Sequence, residues 1–291
     1  MARSKTTLPT ARTLKDLRRH IARYREAGEM VALVPTMGAL HEGHLTLVRA
    51  ARKKAPRVVV SVFVNPTQFA PNEDLARYPR DEAGDLEKLA SVNADLVWAP
   101  DVDEMYAPGF ATRIEVQGAA EGLEGAFRPH HFGGVATVCC KLFSQVTPDI
   151  ALFGEKDYQQ LCVIRQMVRD LNLPLKIQGV PTVREKDGLA LSSRNAYLSP
   201  ENRAAAPALN AAIRTVAETM AAGGRQAPAI KSAVKALEKA GFGPIDYVAI
   251  ADAETLGPWQ LSSGRPGRVL VAAKLGTTRL IDNVPIPRPK A

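Results

Sequence analysis

The sequence has few of the features that mark disulfide-rich, membrane-spanning or nucleic-acid-binding proteins. Its three cysteines include one adjacent pair and no Cys-x-x-Cys spacing, which argues against a disulfide framework and against a zinc knuckle. No apolar run approaches the roughly 18 residues that a membrane helix needs. Only 5% of the residues are aromatic. We therefore expect a globular protein of the reducing cytoplasm that has no membrane partner.

The formal net charge of +8 is concentrated at the two ends of the chain. Residues 1–25 contribute +7 and residues 265–291 contribute +5, so the segment between them carries −4. A nucleic-acid-binding protein typically has a basic stripe interleaved with aromatic side chains. We therefore interpret the basic ends as solvated and expect no nucleic-acid partner.

The 291 residues, of which 46% are hydrophobic, suffice for two domains with real cores. Strands are predicted at residues 30–35, 57–64, 94–99, 150–153 and 176–180. Helices are predicted from residue 14, after a Thr13 cap, and at residues 44–55, 80–93, 135–146 and 156–171. This alternation predicts an α/β domain, a Rossmann-like, doubly wound parallel sheet with helices on both faces.

The composition changes near Pro200. Residues 200–242 are rich in alanine and predict two helices separated by Gly223 and Gly224. The rest of the chain predicts short antiparallel strands. We expect a second, smaller α+β domain, so that the domains span residues 1–182 and 183–291, the latter as a small C-terminal lid.

Four polar segments follow predicted strands of the sheet. They read TMGALHEGH, NPTQFAPNEDLARYP, FGEKDYQQ and TVREKDGLALSSRN. Parallel sheets bind ligands beyond the carboxyl ends of their strands, where such loops collect. These segments are therefore predicted to lie at one rim of the sheet and to form the ligand site.

The HEGH stretch places His41 and His44 three residues apart at a strand-to-helix turn. Zinc proteases instead place two histidines four apart on one helix face. The start of a helix favours anions, and Gly43 allows them to approach closely. From these residues alone, phosphate binding, metal binding and simple packing all stay open.

Further hydrogen-bond donors recur in the other loops. Lys156 opens a helix directly after a strand, where a cation is unfavourable unless an anion binds there. Ser192, Ser193 and Arg194 supply three donors in succession. Gln68 and Gln160 could bind a small polar substrate. Each of these residues could alone be an ordinary surface residue, but together they indicate an anionic ligand.

The ordered motifs PTMGALHEGH, NPTQF, RPHHFGGV, FGEKDYQQ and SSRNAYLS resemble those of the pantothenate synthetase, or pantoate–β-alanine ligase, family. The resemblance runs from about residue 13 to residue 283 and includes HEGH as the counterpart of the HIGH motif of nucleotidyltransferases. It implies an ATP-dependent condensation of pantoate with β-alanine through pantoyl adenylate, with release of pyrophosphate and AMP. It also implies a requirement for Mg²⁺ and a homodimer.

The resemblance assigns roles to individual residues. Contacts to the phosphates are implied for His41, His44, Lys156, Ser192, Ser193 and Arg194. Pantoate contacts are implied for Met37, Gln68 and Gln160. The ribose and adenine pocket is implied for Gly154, Asp157 and Val183. A place near magnesium, acting through water, is implied for Asp85. β-Alanine contacts are implied for Asn65, Arg128 and His131, with Tyr78 as a supporting residue.

One position departs from the family pattern, because His130 stands where the family usually has glycine. If that position needed a positive φ, a residue with a β-carbon would cost on the order of 1 kcal/mol there. We expect His130 to tolerate the backbone conformation.

Three other functions are compatible with parts of the sequence. One is another acid-activating nucleotidyltransferase of the same superfamily, although NPTQF and KDYQQ would then have no assigned role. The second is a zinc hydrolase that uses His41 and His44 with His130 or His131. The third is a nucleic-acid-binding protein, which the acidic middle of the chain disfavours.

Overall fold

The computed structural model describes residues 8–71 and 73–287, which form two compact units. The first unit comprises the described residues up to Val116, His130–Glu155 and Val163–Pro181. The second comprises Gln117–Pro129, Lys156–Cys162 and the described residues from Thr182 onward. The domain limits 1–182 and 183–291 stay predictions, because spatial clustering does not test whether a segment folds independently.

Nine strands and ten α-helices are assigned in this part of the chain. The strands are β1 (Thr10–Ala11), β2 (Val31–Thr36), β3 (Arg57–Val62), β4 (Leu96–Trp98), β5 (Ile150–Gly154), β6 (Lys176–Val180), β7 (Phe242–Asp252), β8 (Gly267–Leu275) and β9 (Thr278–Pro285). The helices are α1 (Leu14–Glu26), α2 (Glu42–Arg52), α3 (Glu82–Ser91), α4 (Val102–Met105), α5 (Leu123–Phe127), α6 (His131–Val146), α7 (Tyr158–Asp170), α8 (Pro200–Ala205), α9 (Ala208–Ala221) and α10 (Gln226–Lys239).

The first unit is built on a six-stranded parallel sheet in the order β1-β4-β3-β2-β5-β6. Central β2 pairs with β3 along its whole length and with β5 through Ala32 and Leu33. The strand order reverses between β2 and β5, so this is the switch point at which doubly wound sheets bind ligands. The predicted fold class is confirmed.

The central strands of the sheet are apolar on both faces, as is typical of parallel sheets covered by helices. Val58, Val59 and Val60 of β3 are completely buried, as are all three residues of β4. Strands of this kind need a helical layer on each side. On one face, Val48 of α2 and Leu89 of α3 complete the core.

The second unit contains the three-stranded antiparallel sheet β7-β8-β9. Helices α9 and α10 bury Leu209, Ile213 and Leu237 in the same core as Val269 and Val271 of β8. This confirms the second, smaller α+β element of the predicted fold class.

Several predicted helix limits were wrong. Helix α2 begins at Glu42 rather than at residue 44, because His41 acts as its N-cap. Helix α6 begins at His131 rather than at residue 135, so Gly133 and Gly134 lie in its first turn. Residues 200–242 hold three helices instead of two, because the chain turns at Pro207 between α8 and α9. A 3₁₀ turn, Glu155–Asp157, precedes α7.

His130 takes φ −95°, which is an ordinary right-handed conformation. The expectation that it tolerates its position in place of glycine is therefore confirmed. In the two described ranges, no helix combines the length and apolar character needed to cross a membrane. The expectation of solvated basic ends concerns residues that lie partly outside those ranges.

Candidate active site

The loop that follows β2 is held by a buried carboxylate. Asp85 of α3 is only 2% exposed, and its two oxygens accept the backbone N–H groups of Ala39 and Leu40, each at 2.8 Å. Gly38 and Ala39 both have positive φ, 80° and 51°. For alanine this left-handed conformation is strained, so the two charge-assisted hydrogen bonds stabilise it.

The two histidines of HEGH cap helix α2 together. His41 Nδ1 accepts the Gly43 N–H at 3.1 Å, and His44 Nδ1 accepts the His41 N–H at 3.3 Å. Their ring centroids are 4.1 Å apart. A neutral imidazole that accepts at Nδ1 carries its proton on Nε2. Both rings are thus N–H donors through Nε2, as a phosphate oxygen requires.

These tautomers conflict with the zinc alternative. A histidine that binds zinc uses a ring nitrogen without a proton, while its other nitrogen donates an N–H. In His41 and His44 the Nδ1 atom accepts instead, so a neutral ring could not bind zinc through Nε2. Among residues 8–71 and 73–287, no group of three or more His, Cys, Asp or Glu side chains could hold a metal ion.

Asn65 connects the NPTQF segment to neighbouring elements. It is 1% exposed, and its Nδ2 donates to Gln68 Oε1 at 3.1 Å and to the Gly134 carbonyl at 3.2 Å. Its Oδ1 accepts the Tyr106 hydroxyl at 2.8 Å. Gln68 Nε2 in turn donates to Met37 Sδ at 3.2 Å. Asn65 thereby fixes the orientation of the Gln68 amide beside the loop after β2.

His131 and Tyr78 pack against the same segment. His131 Nδ1 lies 3.0 Å from the Gln68 main-chain oxygen, which can only accept, so Nδ1 carries the proton and Nε2 is an acceptor in the neutral ring. This tautomer is opposite to that of His41 and His44. Tyr78 is buried and meets the Phe69 ring edge-on, with 5.9 Å between centroids.

Close contact between α6 and NPTQF depends on a glycine. A Cβ on Gly134 would lie 2.4 Å from the Thr67 carbonyl oxygen and 2.7 Å from the Gln68 nitrogen. Both atoms are main chain and cannot turn aside. The atoms nearest to a Cβ on neighbouring Gly133 would instead be the side-chain ends of Arg113 and Glu115.

Lys156 lies in the second unit, in the 3₁₀ turn before α7. Its side chain is 20% exposed, and its Nζ lies 3.8 Å from Asp157 Oδ1. Its main-chain oxygen accepts Asn283 Nδ2 at 2.9 Å. The next residue but one, Tyr158, donates its hydroxyl to the Ala253 carbonyl at 2.8 Å. The turn is therefore anchored to strand β9 and to the loop that follows β7.

The SSRN segment leaves a short hairpin of the second unit. The Leu191 N–H donates to the Val183 carbonyl at 3.0 Å and closes the hairpin. Ser192 then caps a 3₁₀ turn, Ser193–Tyr197, by accepting the Arg194 N–H at 3.3 Å. The hairpin thus determines where these three donors lie.

The two adjacent glutamines of KDYQQ have different environments. Gln159 is buried, accepts the Glu124 N–H at 2.9 Å and donates to the main-chain oxygens of Ala119, Glu121 and Gly122. It therefore holds that loop of the second unit. Gln160 is half-buried, and consecutive helix residues do not face the same side. Gln160 is thus the glutamine whose position suits a ligand contact.

Arg128 belongs to an ion-pair network in the second unit. Glu124, which is 6% exposed, lies 3.2 Å from Arg128 Nη1 and 2.7 Å from Arg279 Nη1. The pKa of nearby Tyr247 is raised by burial and further by the Glu124 charge. The RPHHF motif is divided, since Arg128 lies in the second unit and His131 in the first.

The predicted site residues divide between the two units. The first unit carries Met37, His41, His44, Asn65, Gln68, Tyr78, Asp85, His131 and Gly154. The second carries Arg128, Lys156, Asp157, Gln160, Val183, Ser192, Ser193 and Arg194. Sequence reasoning missed several polar residues that support them, namely the buried Gln159, Arg268, Asp282 and Asn283 and the partly buried Arg184. The signal for Asp282 and Asn283 was a polar pair between the apolar residues Leu280, Ile281 and Val284 of β9.

Comparison with known proteins gives a consistent result. The family model for pantoate-beta-alanine ligase matches residues 9–285. A pantothenate synthetase of Caulobacter vibrioides is 58% identical over 278 residues, which is 94% of this chain and 97% of the relative.

Two solved structures show the same similarity. The crystal structure of pantothenate synthetase from Thermus thermophilus matches with a TM-score of 0.88 at 51% identity, covering 95% of this chain and 98% of that one. The pantoate-beta-alanine ligase from Francisella tularensis, complexed with beta-gamma ATP and beta-alanine, matches with a TM-score of 0.78 at 32% identity, covering 95% and 97%.

We expect Asp85→Asn to lower the free energy of unfolding by about 1–3 kcal/mol in the absence of nucleotide and metal, because an amide N–H₂ would face a backbone N–H. Thermal or denaturant unfolding measures this. Asp81→Asn is the matched control, since Asp81 is the N-cap of the same helix and asparagine caps equally well. Unchanged stability of Asp85→Asn would contradict the anchoring role.

Gly134→Ala should lower the free energy of unfolding by about 1–3 kcal/mol, because its Cβ overlaps the Thr67 main chain. Gly133→Ala gains the same helix propensity, and the atoms nearest to its Cβ are side-chain ends that can move, so it should be neutral or stabilising. Denaturant unfolding of the two variants compares them. Equal stabilities would show that the contact between α6 and NPTQF is not tight.

Proposed function

Because the chain belongs to the pantoate–β-alanine ligase family, we propose that it joins its substrates through a pantoyl-adenylate intermediate, with the donors described above holding the phosphates. The chain is an ATP-dependent ligase that forms an amide between pantoate and β-alanine. The observation that best supports the route through an adenylate is the pair of Nε2–H donors at the start of α2.

In the first step, a pantoate carboxylate oxygen attacks the α-phosphorus of ATP. The bond from that phosphorus to the bridging oxygen breaks, and pyrophosphate leaves. Negative charge spreads over the phosphates, so positioned donors suffice and no protein nucleophile is required. We assign this role to His41 and His44 in the first unit, and to Lys156, Ser192, Ser193 and Arg194 in the second.

Pantoate is proposed to bind to Gln68, Gln160 and the Met37 amide. Gln68 suits this role because Asn65 orients its side-chain amide before any substrate arrives. A preorganised amide loses little conformational freedom on binding. Asn65 itself is buried, so we propose that it supports β-alanine binding by holding Gln68 and the start of α6.

In the second step, the β-alanine amine attacks the acyl carbon of pantoyl adenylate. The bond from that carbon to the phosphate oxygen breaks, and AMP leaves. The attacking amine must be neutral, so its ammonium form first loses a proton. His131 is proposed to accept it at Nε2, because Nδ1 already donates to the Gln68 carbonyl. The nitrogen loses a second proton after the attack, and the departing AMP phosphate is proposed to accept it. Arg128 is proposed to bind the β-alanine carboxylate, and Tyr78 to support the site.

The nucleotide itself is proposed to lie against Gly154, Asp157 and Val183, through ribose and adenine. The described residues offer no cluster of metal ligands. We therefore propose that Mg²⁺ is bound by the phosphates of ATP and enters the site with the nucleotide. Magnesium there would neutralise phosphate charge. Each Asp85 oxygen retains a lone pair after accepting its N–H, and we propose that Asp85 would contact the metal through water.

We also propose, on the family resemblance, that the enzyme is a cytoplasmic homodimer. Activation of a different acid by a superfamily member is the alternative. The family match over residues 9–285 and the similarity to curated pantothenate synthetases support pantoate instead.

Measurement of pyrophosphate and AMP release from Mg-ATP tests the function. Purified protein is given pantoate alone, β-alanine alone, and then both. We expect pyrophosphate in an amount equal to the enzyme with pantoate alone, and sustained AMP release only with both. No pyrophosphate with pantoate, but release with another hydroxy acid, would contradict the substrate assignment.

A further inference from the structure

Two neighbouring residues of β9, Asp282 and Asn283, contact the hairpin that leads to the SSRN segment and the turn that carries Lys156. Consecutive residues of a strand point to opposite faces of the sheet. Both are nevertheless 3% exposed. A buried acid and a buried amide are costly unless they are fully hydrogen-bonded, so their partners indicate what they do.

Asp282 holds the hairpin that leads to Ser192. Arg184, at the base of this hairpin, donates from its two terminal nitrogens to the two carboxylate oxygens of Asp282, at 2.6 and 2.9 Å. Asn210 Nδ2 donates to the same carboxylate at 3.0 Å. A bidentate arginine–carboxylate pair fixes both distance and orientation. The hairpin that carries the SSRN donors is therefore held rigidly on β9.

Asn283 holds the turn that carries Lys156. Arg268 donates to its Oδ1, and because a guanidinium has no acceptor, this assigns the amide orientation. Nδ2 consequently faces the Lys156 carbonyl and donates to it at 2.9 Å. The Arg268 guanidinium also stacks 3.6 Å from the ring centroid of Tyr158. The Asn283 amide thus anchors Lys156 in the 3₁₀ turn, and the Arg268 guanidinium anchors Tyr158 at the start of α7.

We propose that Asp282 and Asn283 are positioning residues that keep Lys156 and the SSRN segment in a fixed mutual geometry for adenylate formation. This rests on the phosphate-binding roles proposed above. Neither residue is proposed to touch substrate. Their effect arises because a displacement of about 1 Å in a charged donor can cost on the order of 100-fold in rate.

Asn283→Asp tests the proposal most directly. It keeps the size of the side chain and its Arg268 partner, but places a carboxylate oxygen against the Lys156 carbonyl. We expect the rate of pantoate-dependent pyrophosphate formation to fall on the order of 10- to 100-fold. Arg203→Ala is the matched control, because it removes an exposed ion pair with Asp187 from the same hairpin, and its rate should be unchanged.

A double-variant cycle distinguishes positioning from general destabilisation. Lys156→Ala alone should lower pyrophosphate formation on the order of 100- to 1,000-fold. If Asn283 acts through Lys156, Asn283→Asp should add less than about threefold in the Lys156→Ala background. Losses that multiply would overturn the proposal. Circular dichroism and thermal unfolding establish that each variant is folded.

Arg184→Lys provides a second route if Asn283→Asp does not fold. It keeps the charge beside Asp282 but removes the bidentate pair, and it should also slow pyrophosphate formation at least about tenfold. A folded variant of either kind with the wild-type rate would overturn the positioning role alone. A wild-type enzyme that forms no pyrophosphate with pantoate would instead contradict the proposed function, and this inference with it.

Discussion

The first unit depends on one buried carboxylate, that of Asp85. Its two hydrogen bonds hold a loop in which Gly38 and Ala39 take left-handed conformations. An unsatisfied carboxylate could not remain buried, and an unsupported alanine would not keep this backbone, so helix and loop determine each other. The cap of α2 by His41 and the contact of Met37 with Gln68 both start from this loop.

Polar side chains support the proposed ligand contacts throughout the molecule. Asn65 orients Gln68 in the first unit, and Asn283 holds Lys156 in the second. In both cases the supporting amide is buried and its partners determine which end donates. The ligand-binding residues proposed here therefore need little reorganisation, which is what catalysis by positioned charge requires.

The sheet could be predicted because strands such as β3 are apolar on both faces. This pattern is visible within one short segment of the sequence and needs no knowledge of distant residues. It misplaced the start of α2, since histidine is not among the preferred N-cap residues. It could not predict the ring tautomers, which depend on the backbone N–H that each Nδ1 meets. It missed Asp282 and Asn283, whose partners Arg184 and Lys156 lie 98 and 127 residues away.

The central claim is that the pantoate carboxylate attacks the α-phosphorus of ATP. Pantoate labelled with ¹⁸O in its carboxylate tests this claim directly, by mass spectrometry of the AMP formed in the complete reaction. Attack at the α-phosphorus transfers one labelled oxygen to AMP when the amine displaces it. AMP that carries no label, with label in phosphate or only in pantothenate, would contradict the adenylate route.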